Sequence, residues 1–376
     1  MGQRFSKLFH MKQLEGMKLM EKKSSIELIQ KLSNVYGISA FEDDVTRLFR
    51  EEVAGTGKIT EDHMRNVFVE HHHNNGQRPI VELDAHSDEV GFMIRAIKPD
   101  GQMLFVQVGG WALVTIPAQK VKVRNRNGEW ISGIISSTPP HFMTAEERTR
   151  LPKMDELKID VGASSAQEIK EDYQIEVGAP VVPDVTCEYN ERTGLFLGKA
   201  FDNRIGTALL AATMKDLAQT SLDIDLIAGL SAQEEVGDRG AEVVVRKIKP
   251  DLAIVFEGAP ADDTVMPDYL IQAGLGRGPM LRDFDSTIVT NPHFQRYALD
   301  VAKENEIPVQ RSVRTGGGQD GAIINRYNGA PTIVISVPVR YAHTPYCFIA
   351  YQDYAHALDL AKKIICQLTA DVISNF

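Results

Sequence analysis

Residues 331–337, PTIVISV, are short, β-branched and apolar with no polar alternation, the pattern of a strand covered on both faces. Such strands belong to parallel sheets packed between helices. Upstream of it, Asn291 and Pro292 supply a cap and first-turn pair, and Phe294, Tyr297, Ala298, Val301 and Ala302 recur at helical spacing. An extended segment follows at 309–313. Downstream, Tyr354, Leu358, Ala361, Ile365, Leu368 and Val372 mark one stripe of a long terminal helix. Similar apolar strands are expected at 80–83, 224–230 and 251–256, and a helix at 205–217. The expected fold class is therefore α/β, a mostly parallel sheet covered by helices.

Between Gly91 and about Val185 the texture changes to short alternating segments such as MLFVQV, KVKVRN and EWISGIISS, separated by Gly, Asn and Pro turns. Because α/β alternation resumes at Ile205, this stretch reads as a small all-β, barrel-like domain inserted into the first. The expected division is an N-terminal extension over 1–24, disordered or helical; an α/β domain made of 25–90 and 186–376; and the inserted β domain, 91–185.

The chain has 376 residues, 43% hydrophobic and 24% charged, which is the balance of a folded globular protein. Forty-one Lys and Arg against 51 Asp and Glu give a net charge of -10, so no overall positive field draws it to nucleic acid or anionic lipid. Cys187, Cys347 and Cys366 are scattered and odd in number, which argues against a disulfide framework or a thiolate zinc site and for reduced thiols in the cytoplasm. No run of about 18 apolar residues is present to cross a bilayer. The first 23 residues are too charged for a signal-peptide core. Their opening MGQRFS fits a Gly2 acylation pattern with Ser6 in place, but the match is short and one acyl chain anchors only marginally, so we read this segment as a frayed or partly helical extension.

Chemistry is expected where these strands end, since open α/β sheets bind ligands beyond the carboxyl ends of their strands. In ELDAHSDEVG, His86 and Asp88 are two apart, and in extended chain both point to one side, letting Asp88 orient the His86 ring. The competing reading is a polar turn. In GKAFDNRIG, Asp202 precedes a helix and alone reads as an N-cap. In GLSAQEEVGDRGA, Glu234 and Glu235 are adjacent, and extended chain would aim them apart, one at a metal and one at substrate water; a solvated loop is the alternative. Glu257 ends DLAIVFEGAPADD, and His343 follows the strand at 331–337 in VPVRYAHTPYCF. Two imidazoles and several carboxylates form the ligand set of zinc, manganese or cobalt, with one glutamate to spare. A two-metal hydrolase needs a bridging carboxylate, a general base and open coordination positions.

AHSDEVG, KAFDNRIG, SAQEEVG, FEGAPADD and RYAHTP, in this order, resemble the successive motifs of the M42 family of metalloaminopeptidases, which includes glutamyl and deblocking aminopeptidases. The likeness runs from about residue 25 to the end and takes in RTGGGQDGAIIN and SSTPPHFMTAEER. It implies that His86 and Glu257 hold one divalent metal and Glu235 and His343 the other, with Asp202 bridging. It makes Glu234 the general base and Asp88 the partner of His86, and gives Asp320 a part in shaping the pocket. The family often carries Asp where Glu257 stands, which leaves that ligand's geometry and metal preference open, and Gln319 stands where Thr is common. The implied reaction is removal of the N-terminal residue from short peptides through a metal-bridging water. The implied cofactors are two metal ions per subunit, zinc first, with cobalt or manganese as alternatives. The resemblance also implies a cytoplasmic homo-oligomer, a tetrahedral dodecamer with the inserted domain at subunit contacts.

Other readings stay open. A deacylase or carboxypeptidase would use the same metals on a different substrate end. A glycosidase using Glu234 and Glu235 is less favoured, because adjacent residues do not readily straddle a glycosidic bond, where paired carboxyls stand about 5–9.5 Å apart. Arg282, Arg314 and Arg340 could meet an acidic substrate side chain, but most arginines are solvated surface groups. His71 to His73 read as a turn-like edge, and His141 as structural or a subunit contact. Gly316 to Gly318 lack the Gly-Lys-Ser/Thr ending of a phosphate loop and read as room for close backbone approach.

Overall fold

The computed structural model describes residues 20–376. The N-terminal segment with Gly2 and Ser6 therefore lies outside the described residues, apart from a helix over residues 20–34 that crosses the expected boundary at residue 24. Leu28, Ile29 and Leu32 of this helix are buried in the main core.

An eight-stranded mixed sheet forms the frame. In spatial order its strands are Gly57–Glu61, Val67–His71, Asp225–Ser231, Ile80–His86, Leu252–Pro260, Thr332–Val339, Met280–Phe284 and Gln310–Val313. The four central ones are mutually parallel. Val67–His71 and Met280–Phe284 flank them antiparallel. The central strands are covered on both faces, as their unbroken apolar sequences require. In Leu252–Pro260, Leu252, Ile254 and Phe256 face the larger core, while Ala253 and Val255 pack with Val245, Ile324 and Val334 on the other side.

The larger core is closed by Phe201–Leu217, Tyr351–Gln367 and Pro292–Glu304, the smaller by Arg239–Ile248 and Gly321–Asn328. Phe201–Leu217 has 14 of its 17 residues buried, the pattern of a helix packed on several sides. Gly206 lets it lie close against the sheet: a side chain there would begin 2.6 Å from the Phe256 carbonyl oxygen.

Residues 91–183 contribute a six-stranded closed barrel, in the order Gly91–Ile97, Met103–Val108, Lys158–Asp160, Trp130–Ser136, Lys120–Arg124 and Pro180–Pro183. It has its own core around Phe92, Phe105, Val121, Ile135, Ile159 and Val181. A third sheet joins Glu188–Asn190, Leu195–Gly198 and Cys347–Ala350. The terminal helix is shorter than its stripe suggests. It stops at Gln367, Leu368 turns extended, and Thr369 caps a separate short helix, Ala370–Ile373, by accepting the Val372 N–H. Among the described residues no helix is long and apolar enough to cross a membrane.

Candidate metal centre and active site

The parallel register brings the sequence-predicted residues to one end of the sheet. Ser231 pairs with His86, and Val255 pairs with Asp84, so Glu257, two residues further on, comes alongside His86. His343 lies four residues beyond the strand ending at Val339. The Phe201–Leu217 helix delivers Asp202 from the adjacent layer. Gly258 makes that approach possible, since a Cβ there would collide with the Phe201 carbonyl.

Asp202 is not the helix cap that its position suggests. Ala200 holds the N-cap position in a left-handed conformation, Asp202 has non-helical dihedrals, and the Asp202–Asn203 peptide is cis. Asn203 makes the local bonds: its amide donates to the Phe256 carbonyl at 2.8 Å and its oxygen accepts from the Gly206 N–H. Asp202 is thereby left free to face the site. Its Oδ1 is 3.3 Å from His86 Nε2 and its Oδ2 is 3.2 Å from His343 Nε2.

Two groups of side chains able to hold a metal ion share this aspartate. They are His86, Asp202 and Glu257, and Asp202, Glu235 and His343, with ligand atoms in each within 4.8 Å of one another. His86 Nε2 lies 3.7 Å from Glu257 Oε1 and 3.8 Å from Glu234 Oε2. Glu235 Oε1 is 3.5 Å from His343 Nε2, yet it is buried with no hydrogen-bond donor. An unpaired buried carboxylate oxygen is costly, and a cation would satisfy it.

Asp88 organises both sides of this centre. Its Oδ1 accepts the Glu234 N–H at 3.0 Å and lies 3.3 Å from His86 Nδ1, which is nearer the Asp88 main-chain carbonyl, at 3.1 Å. Its Oδ2 accepts the Glu235 N–H at 3.2 Å and the Ser39 hydroxyl at 2.6 Å. The two glutamates do not sit in extended chain, as their adjacency had suggested. They occupy a 3₁₀ turn, Glu234–Val236, between left-handed Gln233 and Gly237, and this turn with Asp88 places their carboxylates.

The electrostatics follow from burial and crowding. Burial is the largest influence on Glu235 and, with repulsion from Asp202, pushes its pKa up to about 8. Glu234 is raised well above the carboxylate range, chiefly by burial. For His86 burial pulls downward, but Glu234, Asp202, Asp88 and Glu257 together hold its pKa well above the usual value. His343 is raised to about 9 for the same reason, with Asp202 its strongest partner. So dense a set of carboxylates around two imidazoles is an arrangement that divalent cations neutralise.

Several structural contributors had no separate signal in the motif reading. Lys199, Glu89 and Arg204, each about 1% exposed, form a buried ion triad behind the site. Lys199 Nζ donates to both Glu89 oxygens at 2.7 Å and Arg204 Nη2 to one at 3.2 Å. Arg204 also donates to the carbonyls of Ser87, Leu32, Val35 and Gly37, tying the segment that carries His86 and Asp88 to the first helix. The barrel supplies Gly109 and Gly110. A Cβ on Gly109 would stand 3.1 Å from Glu235 Oε2, and one on Gly110 3.2 Å from His343 Nδ1. Asp320 lies behind the site, accepting the Ser231 hydroxyl at 2.5 Å, and burial raises its pKa to about 7.

A cavity of about 500 Å³ opens onto Asp202, Glu234, Glu235, Glu257 and His343, and Gly316 to Gly318 line it, as expected of close backbone approach. Arg282 and Arg314 line it too, and Arg282 is only 3% exposed rather than a solvated surface group. Arg340 does not line it and is paired twice with Asp263. The histidine run at 71–73 is divided: His71 is buried and bonded to the Leu217 carbonyl, while His72 meets the Gly55 carbonyl.

The profile of the family described as M42 glutamyl aminopeptidase matches residues 66–360. A glutamyl aminopeptidase of Lactococcus lactis is 29% identical over 349 residues, covering 92% of this chain and 97% of its own. A lysyl aminopeptidase of Pyrococcus furiosus is 32% identical over 356 residues, covering 91% and 97%. Among solved structures, the Pyrococcus horikoshii TET1 peptidase, which can assemble into a tetrahedron or a large octahedral shell, superposes with a TM-score of 0.82 at 26% identity over 92% of this chain and all of its own. Fold, ordered motifs and matched length agree: the chain belongs to the M42 family of aminopeptidases.

Proposed function

We infer that the chain is a dinuclear metal-dependent aminopeptidase in which His86 and Glu257 hold one divalent cation, Glu235 and His343 hold the other, and Asp202 joins the two. The observation that carries this reading is the Asp202 carboxylate, whose two oxygens face different imidazoles at 3.3 and 3.2 Å. Nitrogen and oxygen donors without thiolate suit zinc, with cobalt or manganese as alternatives. When bound, such a pair of cations lowers the pKa of a water and polarises a peptide carbonyl.

The chain's own groups supply the rest. Asp88 orients the His86 ring through Nδ1 and fixes the turn that presents Glu234. Glu234 belongs to neither ligand group but lines the same cavity, so its carboxylate is free to take the proton of the attacking water and pass it to the departing amine. A free α-amino group bound beside the metal ligands would register the first peptide bond over Asp202.

A panel of aminoacyl substrates tests this, assayed with metal-stripped and reconstituted protein. Activity should vanish on stripping and return with metal, and amino-blocked peptides should resist cleavage. Glu234→Gln should keep its metals and lose about 10²–10⁴-fold in turnover. Full activity in that variant would remove Glu234 from the mechanism, and cleavage of blocked peptides would favour a deacylase or carboxypeptidase. The TET1 likeness supports a homo-oligomer, and the reading adopted is a tetrahedral dodecamer with the barrel at subunit contacts. Twelve 41.7 kDa chains come to about 500 kDa, which light scattering reads directly.

A further inference from the structure

Three successive main-chain amides at the turn carrying Glu234 are held by carboxylates from distant parts of the chain. Asp88 takes the Glu234 and Glu235 N–H groups, and the amide before them, that of Gln233, donates to Glu42 Oε1 at 3.2 Å. Successive N–H groups in a turn form an anion-binding concavity, and here two protein carboxylates fill it. Gln233 needs such a hold. Its φ of 60° and ψ of 35° are left-handed, a conformation uncommon for a residue with a Cβ and kept only where the surroundings dictate it. Glu42 is fully buried at the N-cap position of the helix Asp43–Glu52, yet its side chain makes no cap bond, and its Oε2 is buried without a partner. A carboxyl placed so poorly for stability is explained by what its other oxygen does. The loop that brings it, residues 37–42, also secures the second carboxylate. The Ser39 hydroxyl donates to Asp88 Oδ2 at 2.6 Å, the Gly37 N–H donates to Glu89 Oε1 at 3.1 Å, and the Glu89 N–H donates to the Gly37 carbonyl at 3.0 Å.

We propose that Glu42 is a positioning residue for the reaction, fixing the left-handed entry to the Glu234–Val236 turn, and that Ser39 assists it by fixing Asp88, which holds the rest of that turn. This rests on the reading of Glu234 as the general base and adds the loop at 37–42 to the parts that serve it. Gln233 is the pivot. A rotation of its backbone swings Glu234 and Glu235 together, and a displacement of about 1 Å at a reacting group costs on the order of 10²-fold in rate. Neither Glu42 nor Ser39 lines the cavity, so their effect falls on kcat rather than on substrate binding. Burial, with repulsion from Asp88 second, pushes the Glu42 pKa up to about 8, so accepting the N–H does not depend on its charge, and glutamine supplies the same oxygen.

The test compares Glu42→Ala, Glu42→Gln and Ser39→Ala with the unaltered protein on the fastest of Glu-, Leu- and Lys-p-nitroanilide, with rates divided by the folded, metal-loaded fraction. Glu42→Ala should lose about 10- to 100-fold in kcat with KM changed less than about threefold, and Glu42→Gln should stay within about threefold of the unaltered kcat. Ser39→Ala leaves only a small void and should lower kcat by roughly 3- to 10-fold. Hydrogen exchange adds a reading free of metal and substrate. In the metal-free protein, exchange across residues 231–238 should quicken about tenfold or more in Glu42→Ala while the strand Ile80–His86 exchanges as before. Unchanged kcat in Glu42→Ala, or exchange that quickens equally in the central strands, would overturn the proposal. Where Glu42→Ala does not fold, the other two variants decide it: an unchanged Ser39→Ala, or a Glu42→Gln slowed by more than about tenfold, would refute it. No turnover by the unaltered protein would instead overturn the aminopeptidase reading, and full activity of Glu234→Gln would overturn the general base on which the proposal rests.

Discussion

Replacing Glu89 by glutamine tests how the fold supports the site without touching it. Glu89 is the only acidic member of the triad with Lys199 and Arg204, bonded at 2.7, 2.7 and 3.2 Å. Removing its charge leaves two buried cations facing a neutral amide. Breaking a buried pair in this way costs about 3–5 kcal/mol. The Lys199 share of the penalty has a ceiling, because the amine can shed its proton: from its folded value of about 8 down to pH 7, at about 1.36 kcal/mol per unit, this adds about 1.4 kcal/mol, and the rest falls on Arg204, which stays charged. Burial already lowers the Lys199 pKa to about 8, so this group costs the native protein stability at lower pH, by an amount that changes little between pH 7 and 8 and fades only as pH rises above 8. In the variant the folded-state value falls further while the unfolded value stays at 10.5. The unfolded chain then binds more protons across that window, and stability rises with pH by up to about 1.4 kcal/mol per unit. Urea unfolding of both proteins at pH 7, 8 and 9 reads both effects, and Glu89→Gln/Lys199→Met should recover the Lys199 share of the loss. A loss under about 1 kcal/mol, or parallel pH profiles for the two proteins, would refute the reasoning.

Asp88→Asn keeps the size of the side chain but removes the charge shared by His86 and the two glutamate N–H groups, so metal affinity or kcat should fall about 10–100-fold, measured by metal titration and steady-state rates. Gly258→Ala forces a methyl group against the Phe201 carbonyl and should cost about 1–3 kcal/mol in urea unfolding while weakening metal binding through displaced Asp202. Gly110→Ala places a Cβ 3.2 Å from His343 Nδ1 and should reduce metal affinity with little change in stability, since its wall is open to the cavity.

The fold was legible where the chemistry is one-dimensional. Strands buried on both faces show as unbroken apolar runs, which is why Leu252–Pro260 and Thr332–Val339 could be placed from composition alone. The terminal helix could not be bounded that way, because Leu368 keeps the apolar spacing while Thr369 restarts the chain as a new helix. The site was legible as five motifs, since strand ends must converge in a parallel sheet. What stayed hidden were pairings between distant segments. Lys199 and Glu89 are 110 residues apart, and Asp88 meets its glutamate N–H partners 146 and 147 residues later. No periodicity records such contacts. Asp202 reads as a cap only in isolation from the other motifs: Asn203 and Ala200 define the helix start, leaving the aspartate for the site. The arginines resembled surface residues because burial at a cavity wall depends on tertiary packing.

The central claim is that Asp202 joins two cations. Crystals grown with zinc or manganese, with anomalous scattering recorded at the metal edge, test it most directly. Two anomalous peaks per chain are predicted, one beside His86 and Glu257 and one beside Glu235 and His343, with an Asp202 oxygen bound to each and Glu234 to neither. A single peak, or two peaks that do not share Asp202, would contradict it.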